Sequence, residues 1–289
     1  MKQFDYAKVK DPEYFRDGRL DAHSDHVYYA SEEEVWDKET SYRESLNGLW
    51  KFQYARNYES AIPGFEAEDY NCKDWEDIYV PAHIQMEGYD APQYANVQYP
   101  WEGHEDIHPG EIPTHFNPTA SYVKYFTVPE QMKGKRLFIS FQGAESGLAL
   151  WLNGKFVGYS EDSFTPSEFE LTPYIREKGN KLAVAVFKRS SASWLEDQDF
   201  WRFSGIFRDG ENKLAAQVYK WTASSWCEDQ DFYRFSGIYR DVYLYTVPEV
   251  HVNDLRIRAI PEESLQTADL ELVTKTWGSG KLKVVLSRW

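Results

Sequence analysis

Two short acidic segments carry the side chains best suited to chemistry in this sequence. Glu196-Asp197-Gln198-Asp199 and Glu228-Asp229-Gln230-Asp231 each place three carboxylates within four residues. Carboxylate oxygens accept hydrogen bonds from hydroxyl groups, and hard cations prefer oxygen ligands. Such a loop can therefore bind a ligand of either kind, or it is simply a solvated acidic turn.

These segments lie inside a duplicated stretch of the chain. Residues 180–209 and 212–241 align at a constant offset of 32, with 20 identical residues in 30 positions. Solenoid folds need three or more repeats, so two copies of a strand and its loop do not indicate one. The repeat arose either by tandem duplication or by joining two homologous genes out of register.

A second candidate for chemistry is His104-Glu105-Asp106-Ile107-His108, which matches the H-E-x-x-H zinc pattern. That motif works because a helix places both histidines on one face. Here Pro100, Gly103, Pro109 and Gly110 surround the pattern and disfavour a helix. We therefore predict that this segment binds no zinc.

The composition limits the class of protein. A formal charge of −15 repels phosphate backbones and anionic lipid, so neither nucleic acid nor membrane is an expected partner. Aromatic residues make up 17% of the chain, which favours strands first and carbohydrate contacts second. Two cysteines cannot form a disulfide framework, and the N-terminus has no apolar signal segment. These features predict a soluble cytoplasmic protein.

Alternating apolar residues and turn signals predict an all-β fold. Trp50, Phe52 and Tyr54 share one face of a strand, and Asn153-Gly154 is a strong two-residue hairpin signal. Lys181–Lys188 is apolar on both faces, which is typical of a central strand. The segment 167–178 is predicted to be a short helix or turn. Further strands are predicted at 122–128, 136–142, 147–152, 155–159, 242–245, 251–260, 268–276 and 281–288.

The predicted organisation has three parts. Residues 1–46 form an irregular arm, residues 47–247 form one large domain that contains both repeats, and residues 248–289 begin a second domain. About 40 residues cannot close an immunoglobulin-like sandwich, which needs roughly 100. We therefore expect this last domain to be incomplete.

Three stretches together resemble the sugar-binding domain of family 2 glycoside hydrolases, in particular bacterial β-galactosidases. They are Val80 to Pro100, which contains Tyr94-Ala95-Asn96-Val97-Gln98-Tyr99-Pro100, then Trp151 to Tyr159, and then the acidic loop ending in Ser-Gly-Ile-Phe/Tyr-Arg-Asp. The resemblance covers roughly residues 15–289. It implies a galactose-binding-like jelly-roll β-sandwich followed by a truncated immunoglobulin-like β-sandwich.

The resemblance also implies site residues. Asn96 corresponds to an asparagine that hydrogen-bonds substrate hydroxyls, and Asp199 or Asp231 to an aspartate that contacts galactose and ligates sodium. Their structural alternatives are a turn-capping asparagine and a solvated acidic loop. In this family two glutamates on a later barrel domain cleave the sugar with retention. We therefore expect no catalytic residue in this chain, and magnesium only in a complete enzyme.

Three functions follow as hypotheses. The first is the sugar-binding N-terminal part of a β-galactosidase, inactive alone, with a galactoside as ligand and weak affinity. The others are a stand-alone carbohydrate-binding module and an inert structural or complementation fragment. The remaining domains of the enzyme or a second copy of the chain are the expected protein partners.

The duplication leaves open which aspartate belongs to the site. Because Gln217 interrupts one apolar face of the second copy, we expect the first-copy strand Lys181–Lys188 to lie in the sheet. The closing strand is expected at Val242–Tyr245. The segment from about Ser190 to Trp221 would then loop out, which leaves Asp231 as the site aspartate.

Overall fold

The computed structural model describes residues 3–91, 93–95, 98–195, 200–202, 205–206, 232–234, 237–238, 241–261 and 268–285. In these residues the α-helix α1 spans Glu32–Asp37, and 3-10 turns span Tyr6–Lys10, Tyr58–Ser60, Glu130–Met132 and Ser191–Trp194. Within the described residues, no helix is both long and apolar enough to cross a bilayer.

The strands account for most of the regular structure. In chain order they are β1 (Arg16–Asp17), β2 (Arg43–Ser45), β3 (Gly48–Ala55), β4 (Glu76–Val80), β5 (Ala82–His83), β6 (Gln93–Ala95), β7 (Thr119–Phe126), β8 (Phe138–Phe141), β9 (Ala144–Glu145), β10 (Gly147–Leu152), β11 (Lys155–Glu161), β12 (Ser167–Glu170), β13 (Asn180–Phe187), β14 (Phe200–Arg202), β15 (Gly205–Ile206), β16 (Phe232–Arg234), β17 (Gly237–Ile238), β18 (Val242–Tyr245), β19 (His251–Pro261) and β20 (Ala268–Trp277). The all-β prediction is confirmed.

Two antiparallel sheets enclose the main core. A seven-stranded sheet has the order β1-β11-β10-β13-β7-β3-β4, and a four-stranded sheet has the order β12-β8-β18-β2. Trp50 and Phe52 of the larger sheet and Ile139, Phe141 and Leu244 of the smaller one belong to a single buried cluster. Burying each such side chain contributes about 1.5–3 kcal/mol. The closing strand predicted at Val242–Tyr245 is confirmed as β18.

Strand β13 lies in the middle of the larger sheet, between β10 and β7. Leu182, Val184 and Val186 point into the main core, while Ala183, Ala185 and Phe187 belong to a second cluster on the opposite face. The prediction of a central strand with two apolar faces is confirmed.

The N-terminal residues cover that opposite face. The Phe4 ring stacks on the Phe187 ring at a centroid distance of 5.6 Å, and Tyr6 contacts the same ring edge-on at 5.2 Å. Val9 is fully buried. The middle of the larger sheet, around Phe187, is therefore covered on both faces.

The hairpin predicted at Asn153-Gly154 joins β10 and β11. Both residues have positive φ, 52° and 76°, as a type I′ turn requires. The Asn153 side chain also accepts a hydrogen bond from the Lys181 amide at 2.9 Å and donates to the Asn180 side chain at 3.0 Å. It thereby ties the hairpin to β13.

The predicted helix or turn at 167–178 is wrong in its first part. Ser167–Glu170 forms strand β12, which pairs antiparallel with β8. Phe169 is fully buried in the main core, whereas Glu170 lies at the surface beside Arg136. The first three residues of β12 are all buried, and their pairing with β8 decides in favour of a strand.

The chain divides into two compact units. One comprises Met1–Leu20 and Arg43–Tyr245, and the other comprises Asp21–Tyr42 and Thr246–Trp289. The domain boundaries drawn from the sequence stay predictions.

The second unit is built on an antiparallel pair, β19 and β20. The Tyr28 hydroxyl and the His26 ring both hydrogen-bond the Val252 carbonyl, at 2.8 and 2.9 Å. The strand predicted at 281–288 is wrong for its described residues, 281–285, which have no regular structure. Leu282, Val284 and Val285 are all exposed there, so no burial supports a strand.

Candidate functional site

Both copies of the repeat contribute strands to the first unit. In the first copy, β14 pairs with β6 and β15 pairs with β5. In the second copy, β16 pairs in parallel with β14, and β17 pairs with β9. The two copies therefore meet side by side in one three-stranded sheet, β16-β14-β6.

This arrangement corrects the prediction that the segment from about Ser190 to Trp221 loops out. Within that segment, Ser191–Trp194 forms a 3-10 turn, and β14 and β15 are hydrogen-bonded to other strands. The physical reason is that both copies carry similar strand sequences and each finds a strand edge to pair with. The first copy pairs with β5 and β6, and the second copy pairs with β9. The second-copy segment 213–220 lies outside the described residues.

The three site residues predicted from the sequence, Asn96, Asp199 and Asp231, lie outside the described residues. Their immediate neighbours are described at the backbone level. Phe200, which follows Asp199, is the direct cross-strand partner of Ala95, which precedes Asn96. Phe232, which follows Asp231, is the partner of Phe200 on its other side.

A buried ion pair connects the segment before β6 with the segment after β13. The Lys188 ammonium donates to the Asp90 carboxylate, and their side chains are 0% and 2% exposed. The Gln85 amide donates to the same carboxylate at 2.8 Å. Burial lowers the pKa of Lys188 to about 8, an effect that the Asp90 charge opposes. The pair joins the long loop that leads to β6 with the chain that leaves β13.

A second set of buried hydrogen bonds connects the same two segments. The Arg189 guanidinium donates to the Gln93 side-chain oxygen at 2.6 Å. The Arg189 amide donates to the Asn117 side-chain oxygen at 2.8 Å, and the Asn117 side chain donates back to the Arg189 carbonyl at 2.9 Å. Strand β6 is thereby fixed relative to the start of the first-copy loop.

A buried carboxylate, Glu161, anchors the turn that precedes the first acidic segment. Its oxygens accept from the Tyr159 hydroxyl at 2.7 Å, the Ser191 hydroxyl at 2.8 Å and the Ala192 amide at 2.8 Å. Burial raises the pKa of Glu161, and these hydrogen bonds oppose the shift. Glu161 thus positions the Ser191–Trp194 turn.

We expect Glu161→Gln to change the pH dependence of stability. A raised pKa stabilises the fold fully below the carboxyl group's unfolded pKa, and the contribution disappears as pH rises through the folded value. The neutral amide of the variant buries no charge at any pH, so it loses no stability in this way. In urea titrations, the free energy of unfolding of the variant should therefore rise relative to the unmodified protein as pH increases from the unfolded pKa of the carboxyl group through its raised folded pKa.

A matched control is Glu170→Gln. The hydrogen bond from Arg136 lowers the pKa of Glu170, so this substitution should lose relative stability as pH rises from the lowered folded pKa to the unfolded pKa, which is below the range of the Glu161 effect. Parallel pH profiles for the two variants would contradict the role assigned to Glu161.

The segment His104–His108 contains no helix, so it lacks the geometry by which the zinc motif works. The absence of a zinc site stays a prediction. The Glu105 carboxylate instead accepts from the backbone amides of Thr114, His115 and Phe116 at 2.8–3.2 Å. Across the described ranges, no group of three or more His, Cys, Asp or Glu residues is arranged to hold a metal ion.

Sequence reasoning missed the buried polar residues that support the site. Asp90 lies within the Val80 to Pro100 stretch, and Lys188 and Arg189 directly follow an apolar strand. A cationic pair at the end of a strand that is apolar on both faces was a signal, because a buried charge needs a partner. The sequence did not indicate which residue is that partner, because Asp90 lies 98 positions away from Lys188.

Comparison with protein families gives two matches to the glycosyl hydrolases family 2, sugar binding domain, over residues 43–210 and 208–248. The first match ends where the first copy of the repeat ends. The second match covers the second copy and the closing strand β18. This division agrees with a family pattern that contains the acidic loop once.

The beta-galactosidase of Halalkalibacterium halodurans is 48% identical over 279 residues, which is 96% of this chain and 24% of that protein. The beta-galactosidase large subunit of Leuconostoc lactis is 40% identical over 93% of this chain and 40% of its own length. The chain thus spans about a quarter to two fifths of these relatives.

A beta-glucuronidase of Bifidobacterium dentium, solved with coumarin-3-O-glucuronide, superimposes with a TM-score of 0.52 at 22% identity. The match covers 89% of this chain and 38% of that one. This likeness concerns the fold alone. On the sequence matches, the chain belongs to the sugar-binding domain family of the family 2 glycosyl hydrolases.

Proposed function

We propose that this chain is the sugar-binding part of a β-galactosidase and that it holds a galactosyl unit at the end of the sheet where β6 and β14 meet. Two relatives named as beta-galactosidases support the proposal. The observation that carries it is the pairing of Ala95 with Phe200, the neighbours in sequence of Asn96 and Asp199.

Register favours Asp199 over Asp231 as the galactose-binding aspartate. Strand β14 adjoins β6, whereas β16 pairs with the far side of β14. Neighbouring strands lie about 4.8 Å apart, so the first copy is one strand spacing from β6 and the second copy is two. One sugar ring can bridge groups next to two adjacent strands more readily than groups next to two strands that a third strand separates.

In this proposal Asn96 donates to a sugar hydroxyl through its amide and Asp199 accepts from hydroxyls through its carboxylate. The carboxylate also suits a sodium ion, a hard cation that takes oxygen ligands. When bound, the ion would neutralise carboxylate charge and offer a coordination position to a sugar oxygen. These roles rest on the chemistry of the residue types.

Hydrolysis requires groups that we assign to another part of the longer enzyme. Retaining glycosidases use two carboxylic acid groups about 5 Å apart, one on each side of the scissile bond. The shared region makes up 24% and 40% of the length of these relatives. We propose that those groups and the remaining contacts to galactose lie in that additional length.

We expect the 289-residue chain alone to bind galactose weakly and to leave nitrophenyl β-galactoside intact. Part of a site provides few contacts, and sugar hydroxyls exchange water for protein at little net gain, so the dissociation constant should be about 1 mM or weaker. Calorimetric titration with galactose and a chromogenic assay on the same preparation measure both quantities.

The outcomes separate the three hypotheses. Weak binding without turnover agrees with the proposal. Sub-micromolar binding would instead indicate a self-sufficient binding module, and no binding at any soluble concentration would indicate an inert fragment. Turnover that disappears on substitution of Glu196 or Glu228 would overturn the assignment of catalysis to another region.

A further inference from the structure

The Gln93 side chain bridges the two ends of the segment 94–99. Gln93 is the first residue of β6, and its side-chain amide donates to the Pro100 carbonyl at 2.5 Å. Asn96 lies between these two ends in the sequence. One side chain therefore joins the residues on either side of the segment that carries Asn96, for which we propose a contact with galactose.

The Gln93 side chain is itself held by a buried cation. The Arg189 guanidinium donates to the Gln93 side-chain oxygen at 2.6 Å, and Arg189 is 2% exposed. The fully buried Asn117 side chain pairs with both backbone polar groups of Arg189. Because these partners are buried, water competes little for them. They fix the orientation of the Gln93 amide.

The end of the segment at Pro100 is held by packing of aromatic rings. Tyr99 and Trp101, on either side of Pro100, stack at a centroid distance of 5.1 Å, and the Trp194 ring lies 4.7 Å from each of them. Pro100 and Trp101 are buried. The Trp194 indole donates to the Glu111 carbonyl at 2.7 Å. This end is thereby fixed against the turn that precedes the first acidic segment.

The Gln93 hydrogen bonds restrict the segment between two fixed ends. A chain segment whose ends are held together samples fewer conformations than one with a free end. A segment that is ordered before the ligand arrives loses less conformational entropy on binding. The oxygen and the nitrogen of the Gln93 amide are both bonded to the protein, so the effect on a sugar is exerted through the segment.

We propose that Gln93, oriented by Arg189, is a positioning residue of the galactose site, which sets the conformation of the segment that carries Asn96. The proposal rests on the galactose site described under Proposed function. Gln93 then raises the affinity for a galactosyl ligand without contacting it.

The test measures the affinity of the full chain for methyl β-galactoside by ligand-observed NMR titration. Gln93→Leu removes both hydrogen bonds at similar volume and should weaken binding roughly 2- to 10-fold, the range that one neutral hydrogen bond provides. Gln93→Glu keeps an acceptor for Arg189 but places a carboxylate against the Pro100 carbonyl. It should weaken binding as much as Gln93→Leu while keeping more of the stability in urea unfolding.

Gln142→Leu is the matched control. The Gln142 side-chain amide donates to the Ser140 and Tyr243 hydroxyls at 2.7 and 2.8 Å, within the smaller sheet. This variant also loses two hydrogen bonds of a glutamine amide, so it should lose stability and keep its affinity for methyl β-galactoside. Affinity that merely follows stability across the three variants would mean that Gln93 has a structural role alone.

Backbone dynamics give a readout that needs no ligand. The heteronuclear NOE values of the Tyr94 and Tyr99 amides report motion on the picosecond to nanosecond timescale. They should fall in Gln93→Leu and stay unchanged in Gln142→Leu. Unchanged values in a folded Gln93→Leu variant, verified by its circular dichroism, would contradict the positioning role.

The titration separates this proposal from the proposed function. If methyl β-galactoside binds the unmodified chain and the folded Gln93 variants equally well, the positioning role is wrong and the galactose site stands. If the unmodified chain binds no methyl β-galactoside at any soluble concentration, the proposed function is wrong and the positioning role is wrong with it. If Gln93→Leu does not fold, Gln93→Glu decides between these outcomes.

Discussion

Lys188→Met should destabilise the first unit by about 3–5 kcal/mol, because it leaves the buried Asp90 carboxylate without its counter-ion. The two side chains are 0% and 2% exposed, so water cannot replace the lost partner. The Gln85 amide remains as a donor and supplies only part of the missing stabilisation. Urea unfolding monitored by tryptophan fluorescence measures the loss as a lower midpoint.

Two variants serve as controls for this prediction. Lys51→Met removes the same charge from an ion pair with Asp77 whose side chains are 28% and 52% exposed, and it should cost about 1 kcal/mol or less. Lys188→Met combined with Asp90→Asn removes both buried charges and should recover much of the stability. Equal losses for Lys188→Met and Lys51→Met would show that the buried pair is not a main support of the fold.

Asp199→Asn should abolish detectable galactose binding, while Asp231→Asn should leave most of it. A hydrogen bond to a charged group contributes about 1.5–3 kcal/mol, which weakens an affinity near 1 mM by roughly 10- to 100-fold. The asymmetry follows from the register, since β14 adjoins β6 and β16 does not. Methyl β-galactoside titration by ligand-observed NMR gives the comparison.

The reverse order, with binding lost only in Asp231→Asn, would return the site to the second copy, as expected from the sequence alone. Equal partial losses would mean that both aspartates share the ligand. Thermal unfolding of both variants controls for loss of structure.

Local patterns were sufficient to predict most strands of the first unit. Period-2 alternation located β3, and Asn153-Gly154 located the hairpin because its positive φ angles suit these residues. The two apolar faces of β13 placed that strand in the middle of the sheet. Proline and glycine around His104–His108 excluded the helix that a zinc motif needs.

Strands that form only by pairing with residues far away in the chain could not be predicted from the sequence. Ser167–Glu170 contains two glutamates and looked like a turn, yet Phe169 reaches the core only once β8 is beside it. The outcome for the repeat depended on which strand edges remained open for a second copy. No local pattern reports this, because strand pairing joins residues far apart in sequence.

The most direct test of the central claim is a backbone amide chemical-shift map recorded while galactose is added up to about 100 mM, well above the expected dissociation constant. We expect the largest shifts in Gln93–Ala95 and Phe200–Arg202, the strands that flank the proposed site. Shifts concentrated in another part of the chain, such as His251–Pro261, or none at all, would contradict it.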